Sequence, residues 1–255
     1  MLSAIEQMWN NEIPVDMTII NKIINQLDCG EVTSVMLDGD SWIVNETAKK
    51  AILLYLRNQQ STLIGNGYDK VPLKTEGWKE DDFKLAKFRM VPGAIIRHGA
   101  FIAADVVVMP SFINIGAYVD EQTMIDTHAT IGSCARIGKK CHISDGVTIG
   151  GVLEPLQASP VIIEDECFIG AGAKITEGIT IKRGAVIAAG TVITQSTTII
   201  DRKTMTVSYG EVPSFAVVVP GIRIIENNLG LSSAVIIKYV DEKTRLKTSI
   251  NELLR

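Results

Sequence analysis

A left-handed parallel β-helix is the fold class this sequence predicts, on three observations. An aliphatic residue recurs at every sixth position, small or turn-forming residues sit between, and one short segment loses the phase before it resumes. Ile95, Phe101, Val107, Ile113, Val119, Ile125, Ile131, Ile137, Ile143 and Ile149 stand six apart, nine of the ten aliphatic. The phase lapses over Val152 to Pro160, and Ile163, Ile169, Ile175, Ile181, Ile187, Ile193 and Ile199 take it up again. A period of six matches neither the 3.6 of a helix nor the simple alternation of a strand. It matches a coil in which three hexads make one triangular turn. The aliphatic residue points inward, and small residues such as Gly132, Gly138, Gly150, Gly170, Ala129 and Ala173 serve the corners. Repeats of this kind are stable only as a stack, and 17 hexads are ample for each turn to bury its neighbour.

The remaining elements follow in chain order. Residues 1–90 read as a mainly helical domain with a connector. Ile23, Ile24 and Leu27 stand at helical spacing, and Glu46 to Arg57 forms a helix capped by Asn45. Tyr68 to Lys74 and Trp78 to Met90 make the connector, punctuated by Pro72 and Pro92. The coil occupies 91–203, with Val152 to Pro160 as a loop that a corner must tolerate and that is a candidate wall of a site. Residues 204–255 form a small α/β tail: strands at Phe215 to Val219 and Ala234 to Val240, and a closing helix at Thr244 to Leu254.

Composition narrows the function. A formal charge of −4, from 25 basic and 29 acidic residues among 255, offers no basic excess for nucleic acid or anionic lipid. No apolar run has the length of a bilayer span, so no membrane partner is expected. Cys29, Cys134, Cys141 and Cys167 make no C-x-x-C pair, and the N-terminus has no signal-peptide pattern, so a reducing cytoplasm is the expected setting.

Three function classes use a prism of this kind. A zinc site needs about three converging imidazoles, and His98, His128 and His142 form no close pair of ligands, so no metal is expected. An ice-facing or purely structural prism needs a monotonous Thr array, whereas Thr123, Thr127, Thr130 and Thr148 are scattered. Acyl transfer from coenzyme A, with the cofactor lying in the groove between neighbouring prisms of a trimer, is the class left. Asn114, Asp120, Asp126 and Ser144 stand out as polar residues in the slot that Gly usually fills, though corners favour such residues anyway. With residues 18 apart sharing a face, Asp126 is expected to stack with Val108 and Ser144.

Longer stretches carry a resemblance that spans nearly the whole chain. They include Tyr68 to Pro72, Phe88 to Pro92, Gly99 to Ala103, Asn114 to Glu121, Ile125 to Thr127, Ile131 to Ala135, Gly150 to Ala158 and Ile250 to Arg255. Together they resemble the bacterial tetrahydrodipicolinate N-succinyltransferases of lysine biosynthesis. Gly151 to Gln157 and Asn251 to Leu254 are the specific part; the hexads alone mark only a broad acyltransferase superfamily. The resemblance implies a homotrimer with no permanently bound cofactor. Succinyl-coenzyme A is its co-substrate, and the acceptor is the amine of ring-opened tetrahydrodipicolinate, L-2-amino-6-oxopimelate. A related enzyme using acetyl-coenzyme A or another amino-acid acceptor is the alternative.

The family's substrate-binding arginine falls on Arg89, and its substrate-binding and catalytic aspartate on Asp126. A guanidinium can grip a carboxylate with two hydrogen bonds, and a carboxylate can orient an amine and help remove its proton. Gly151, Gly190 and Lys203 are the candidates for coenzyme A contacts. The chain departs from the family pattern at Lys174, where a glutamate is usual; at Pro220 to Ile225, where a Ser-Lys-rich loop is usual; and at His128, where tryptophan is common. Lys174 is accordingly a candidate for the acyl pocket, with an ammonium suited to the distal carboxylate of a succinyl donor.

Overall fold

The structure is a computed structural model and describes residues 2–241. The N-terminal part begins with α1 (Leu2–Trp9) and α2 (Met17–Asp28). The Asp16 side chain starts α2 by accepting from the Thr18 amide, and the helix buries Ile20, Ile23, Ile24 and Leu27. The Asn45 side chain caps α3 (Glu46–Asn58) through the Ala48 amide, as the sequence indicates. The domain is not helical throughout. Antiparallel hairpins Val35–Asp38 with Ser41–Val44, and Thr62–Ile64 with Gly67–Asp69, interleave with the helices. The expected connector contains α4 (Glu80–Ala86). Trp78 and Phe83 from this segment meet Phe88 with ring centroids 5.8 and 6.1 Å away and pack against the coil's core.

The coil is built from two-residue strands on three faces. The first face carries Arg89–Met90, Val107–Val108, Met124–Ile125, His142–Ile143, Phe168–Ile169 and Val186–Ile187, all parallel. The second carries Ile95–Ile96, Phe112–Ile113, Thr130–Ile131, Thr148–Ile149, Lys174–Ile175 and Val192–Ile193. The third carries Phe101–Ile102, Tyr118–Val119, Arg136–Ile137, Ile162–Ile163, Thr180–Ile181 and Glu211–Val212. In nearly every rung the second residue is fully buried and the first faces outward. Each inward isoleucine contributes about 2 kcal/mol of apolar burial, and the stack as a whole sets the backbone of every corner.

Three expectations are corrected. The inward residues of the first turn are Ile96, Ile102 and Val108, not Ile95, Phe101 and Val107. One residue is missing from the step between Val108 and Ile113, and because both residues of each early rung are apolar, spacing alone could not choose between them. Asp126 therefore stacks on Met109, not Val108, while Ser144 follows it as expected. At the far end, Ile199 is buried but pairs with Ala234 in the strand Thr198–Asp201, outside the ladder of rungs. The chain rejoins the coil at Glu211–Val212 and at Ala216–Ile224, so the coil runs past residue 203; it also begins at Arg89, before residue 91.

Ala216–Ile224 then pairs antiparallel with Gly230–Tyr239, and this ribbon extends the first face beyond the last turn. Both strands overrun the segments expected for them. The helix expected at Thr244 to Leu254 and the motif Ile250 to Arg255 lie outside the described residues.

Candidate active site

The three corners of the prism differ in what covers them. The corner between third and first faces is bulky: Asp105, Gln122, Lys140 and Glu166 fill successive positions of positive φ. The corner between second and third faces is buried under the N-terminal domain, where Ile115 and Cys134 join the core of α2 and α3. The corner between first and second faces is bare. Its positive-φ position is His128, then Gly146, Gly172 and Gly190, and the three glycine amides donate to the carbonyls of Thr127, Asp145 and Ala171 one turn below. A Cβ at Gly172 or Gly190 would meet no atom within 4 Å. Positive φ alone does not demand glycine in this slot, since Gln122 and Lys140 occupy its equivalent elsewhere. Three glycines in succession therefore leave this slot of the edge without side chains over three turns.

Asp126 stands at the start of this corner. Its Oδ1 accepts the Thr127 amide at 2.7 Å, its own amide donates to the Ile143 carbonyl at 2.9 Å, and its side chain is about a quarter exposed. Oδ2 faces His142 Nε2 at 3.5 Å. The sequence reading did not single out His142. The signal was available, because His142 stands 18 residues after Met124 and so lies one turn above the Asp126 rung. Lys174 is exposed on the second face, just past Gly172, and Gly190 lies one turn further along the same corner. Arg89 is exposed on the lowest rung of the first face, below Val107 and Met124. Strand spacing puts it about 10 Å from the Asp126 rung along the stack. Asp126 and the three glycines thus stand on one corner, with Arg89 and His142 on the first face beside it and Lys174 on the second.

Comparison with known proteins adds the decisive observation. Residues 1–57 match the family described as tetrahydrodipicolinate N-succinyltransferase N-terminal, and residues 160–195 match the hexapeptide repeat of succinyl-transferase. The chain is 50% identical, over 99% of its length and 97% of the relative's, to the 2,3,4,5-tetrahydropyridine-2,6-dicarboxylate N-succinyltransferase of Wolbachia from Brugia malayi. The enzyme of the same name from Bartonella bacilliformis is 51% identical over 98% of this chain and 96% of that one.

The chain belongs to the tetrahydropyridine-dicarboxylate N-succinyltransferase family.

A solved structure described as a 2,3,4,5-tetrahydropyridine-2-carboxylate N-succinyltransferase from Campylobacter jejuni shares the fold. Its TM-score is 0.60 at 18% identity, covering 88% of this chain and 63% of that one.

The other residues expected to serve this N-succinyltransferase chemistry lie elsewhere in the single chain. Gly151 is on the buried corner, across the second face from Asp126, where the loop to Pro160 leaves the coil. That loop folds onto the N-terminal domain. The fully buried Lys49 of α3 donates to the carbonyls of Pro155, Leu156 and Ala158 at 3.2, 2.9 and 2.7 Å. Burial lowers the Lys49 ammonium's pKa, and burial also pushes the nearby Cys134 thiol up to about 11, which leaves that sulfur protonated and inert. Lys203 lies on the C-terminal extension, in a cleft of about 630 Å³ with Arg202, Lys238 and Tyr239. Asp201 in this cleft accepts the amides of Lys203 and Thr204, and the first of these bonds holds its carboxyl below the usual range.

A further cavity of about 690 Å³ lies between the hairpin of Trp42 and the third face, away from the Asp126 edge. Its charges are largely matched: the Trp42 indole donates to Glu164 at 3.1 Å, and Lys182 bridges Glu164 and Glu211. Arg136 lies 4.1 Å from the centre of the Tyr118 ring and 5.1 Å from that of Trp42. These contacts dock the hairpin on the coil. Among the described residues no helix is long and apolar enough to cross a membrane.

Proposed function

We propose that this protein transfers the succinyl group of succinyl-coenzyme A to the amine of L-2-amino-6-oxopimelate, giving the N-succinyl amide and free coenzyme A, as a cytoplasmic homotrimer. The observation that carries the reading is 50% identity to an N-succinyltransferase along essentially the whole of both chains. The edge of the prism supplies matching chemistry. Coenzyme A lies along the corner at Gly146, Gly172 and Gly190, where absent side chains let the thioester approach backbone amides. Its phosphates face the cationic cleft at Lys203, and Gly151 joins the site only from a neighbouring protomer. Arg89 grips a carboxylate of the acceptor and Asp126 orients the amine. Lys174 stands where it can pair with the distal carboxylate of the succinyl group, a charge-assisted contact that an acetyl donor cannot make.

Mass spectrometry of products tests the reading directly, with succinyl- and acetyl-coenzyme A offered together to the aminooxopimelate acceptor. The expected product is the acceptor plus one succinyl group. An acetylated product, or none, overturns the assignment of donor or of reaction.

A further inference from the structure

The Asp126 edge carries two imidazole–carboxylate pairs that differ in setting. His128 Nδ1 lies 3.5 Å from Asp145 Oδ1, but both side chains are more than half exposed, so water competes for the contact. His142 Nε2 lies 3.5 Å from Asp126 Oδ2 with side-chain exposures of 41% and 26%. The second pair is partly covered and is held by contacts within the coil. His142 is the outward residue of its rung, its amide donating to the Cys167 carbonyl at 2.9 Å. Its ring meets Phe168 edge-on, centroids 5.3 Å apart, with Met124 on the rung below. Asp126 is fixed through Oδ1 by the Thr127 amide, which leaves Oδ2 for the imidazole. The neighbours stacked on His142 are apolar. The carboxylate that faces it is Asp126; Arg89 lies three rungs below on the same face, and Arg223 and Lys238 lie on the ribbon that extends the face above.

Forming an amide from a thioester requires a proton acceptor for the attacking nitrogen and a proton donor for the leaving sulfur. Asp126 has Oδ1 engaged by the Thr127 amide and Oδ2 facing His142, so the imidazole stands between this carboxylate and a reacting group. An imidazole changes charge between pH 5 and 8 and can take the proton and give it up again. We infer that His142 holds the proton in transit during acyl transfer, with Asp126 holding the imidazole. The Nε2 hydrogen donates to Asp126 Oδ2, which leaves Nδ1 as the lone pair. The acceptor's nitrogen attacks the thioester carbonyl, the N–C bond forms and the nitrogen's proton passes to His142. The C–S bond then breaks, and the departing sulfur receives that same proton, so the pair ends as it began. This inference rests on the reaction proposed above, and in it Asp126 acts on the amine through His142.

The test is the pH dependence of kcat/KM for succinyl transfer by the intact enzyme, compared with His142→Gln and His142→Ala. Because His142 is an outward residue, circular dichroism and thermal melting of both variants should match the parent. The parent should lose kcat/KM along an acid limb as pH falls. Both variants should lose that limb and fall about 10² to 10⁴-fold in kcat, with acceptor KM changed by less than about threefold. A parent enzyme that forms no succinyl product sinks the functional reading itself. A parent that forms it, with either folded variant keeping the acid limb and near-normal kcat, overturns the role of His142 alone.

Discussion

Two corners of one prism share a hexad geometry and use their glycines for opposite reasons. On the corner under the N-terminal domain, a Cβ at Gly116 would lie 2.7 Å from Ile52 and 3.0 Å from Cys134, and one at Gly99 would lie 2.9 Å from Ile115. Glycine is needed there because two domains press together. On the Asp126 corner, Gly172 and Gly190 meet nothing. Backbone conformation is alike at both, with φ of +78° at Gly116 and +69° at Gly190, so the difference lies in what approaches from outside. The buried corner is occupied by the protein itself, whereas no other part of the described chain covers Gly172 and Gly190 on the bare one.

The comparison can be broken first at the buried corner. Gly116→Val combines overpacking against Ile52 with a β-branched residue at positive φ, and should destabilise by about 3 to 5 kcal/mol in denaturant titration. A loss under about 1 kcal/mol would mean that the domain junction is loose. Lys49→Met keeps the volume but removes the donor to three loop carbonyls, and should cost about 3 kcal/mol and expose the 151–160 loop to protease. Lys49→Arg offers a test of geometry, since a guanidinium is too wide for the same pocket.

Acid should open the same junction. Asp28 accepts Lys74 Nζ at 2.7 Å and the Gly99 amide at 2.9 Å. Burial acts to raise its pKa, but the His98 hydrogen bond and the Lys74 charge outweigh burial and hold the carboxyl below its ordinary 3.8. A depressed carboxylate contributes stability that is complete above its unfolded value and lost as pH falls through the folded one. Unfolding free energy should therefore decline below about pH 4. Asp28→Asn should cost about 2 kcal/mol at neutral pH and flatten that decline. An unchanged acid limb in the variant would assign it to other carboxylates, such as Asp69 beside Arg97.

The coil was legible because a solenoid repeats its burial rule, so one period carries the inward positions, the corners and the insertion. What escaped was phase where both residues of a rung are apolar, as at Ile95 and Ile96, since burial of either satisfies the same count. The second excursion escaped too, because Ile199 keeps the spacing of six while pairing outside the ladder. The hairpins of the N-terminal domain are three or four residues per strand, too short for alternation to stand out. Counting in eighteens joins Asp126 to Ser144 and Gly172 to Gly190, but the loop widens the step from Gly146 to Gly172, so one period does not gather the whole edge. His142 could have been added the same way, whereas the tether from Lys49 to the loop joins residues more than a hundred apart and no local pattern announces it.

Gly190→Asn tests most directly whether the bare corner is the ligand's path. Asparagine tolerates positive φ and the added side chain meets no atom of the chain, so stability should change by under about 1 kcal/mol. Isothermal titration with coenzyme A should nonetheless show affinity weakened by about tenfold or more, in a protein that melts as the parent does. Unchanged affinity for coenzyme A in that variant would contradict the account, because the corner would then carry a side chain without obstructing anything.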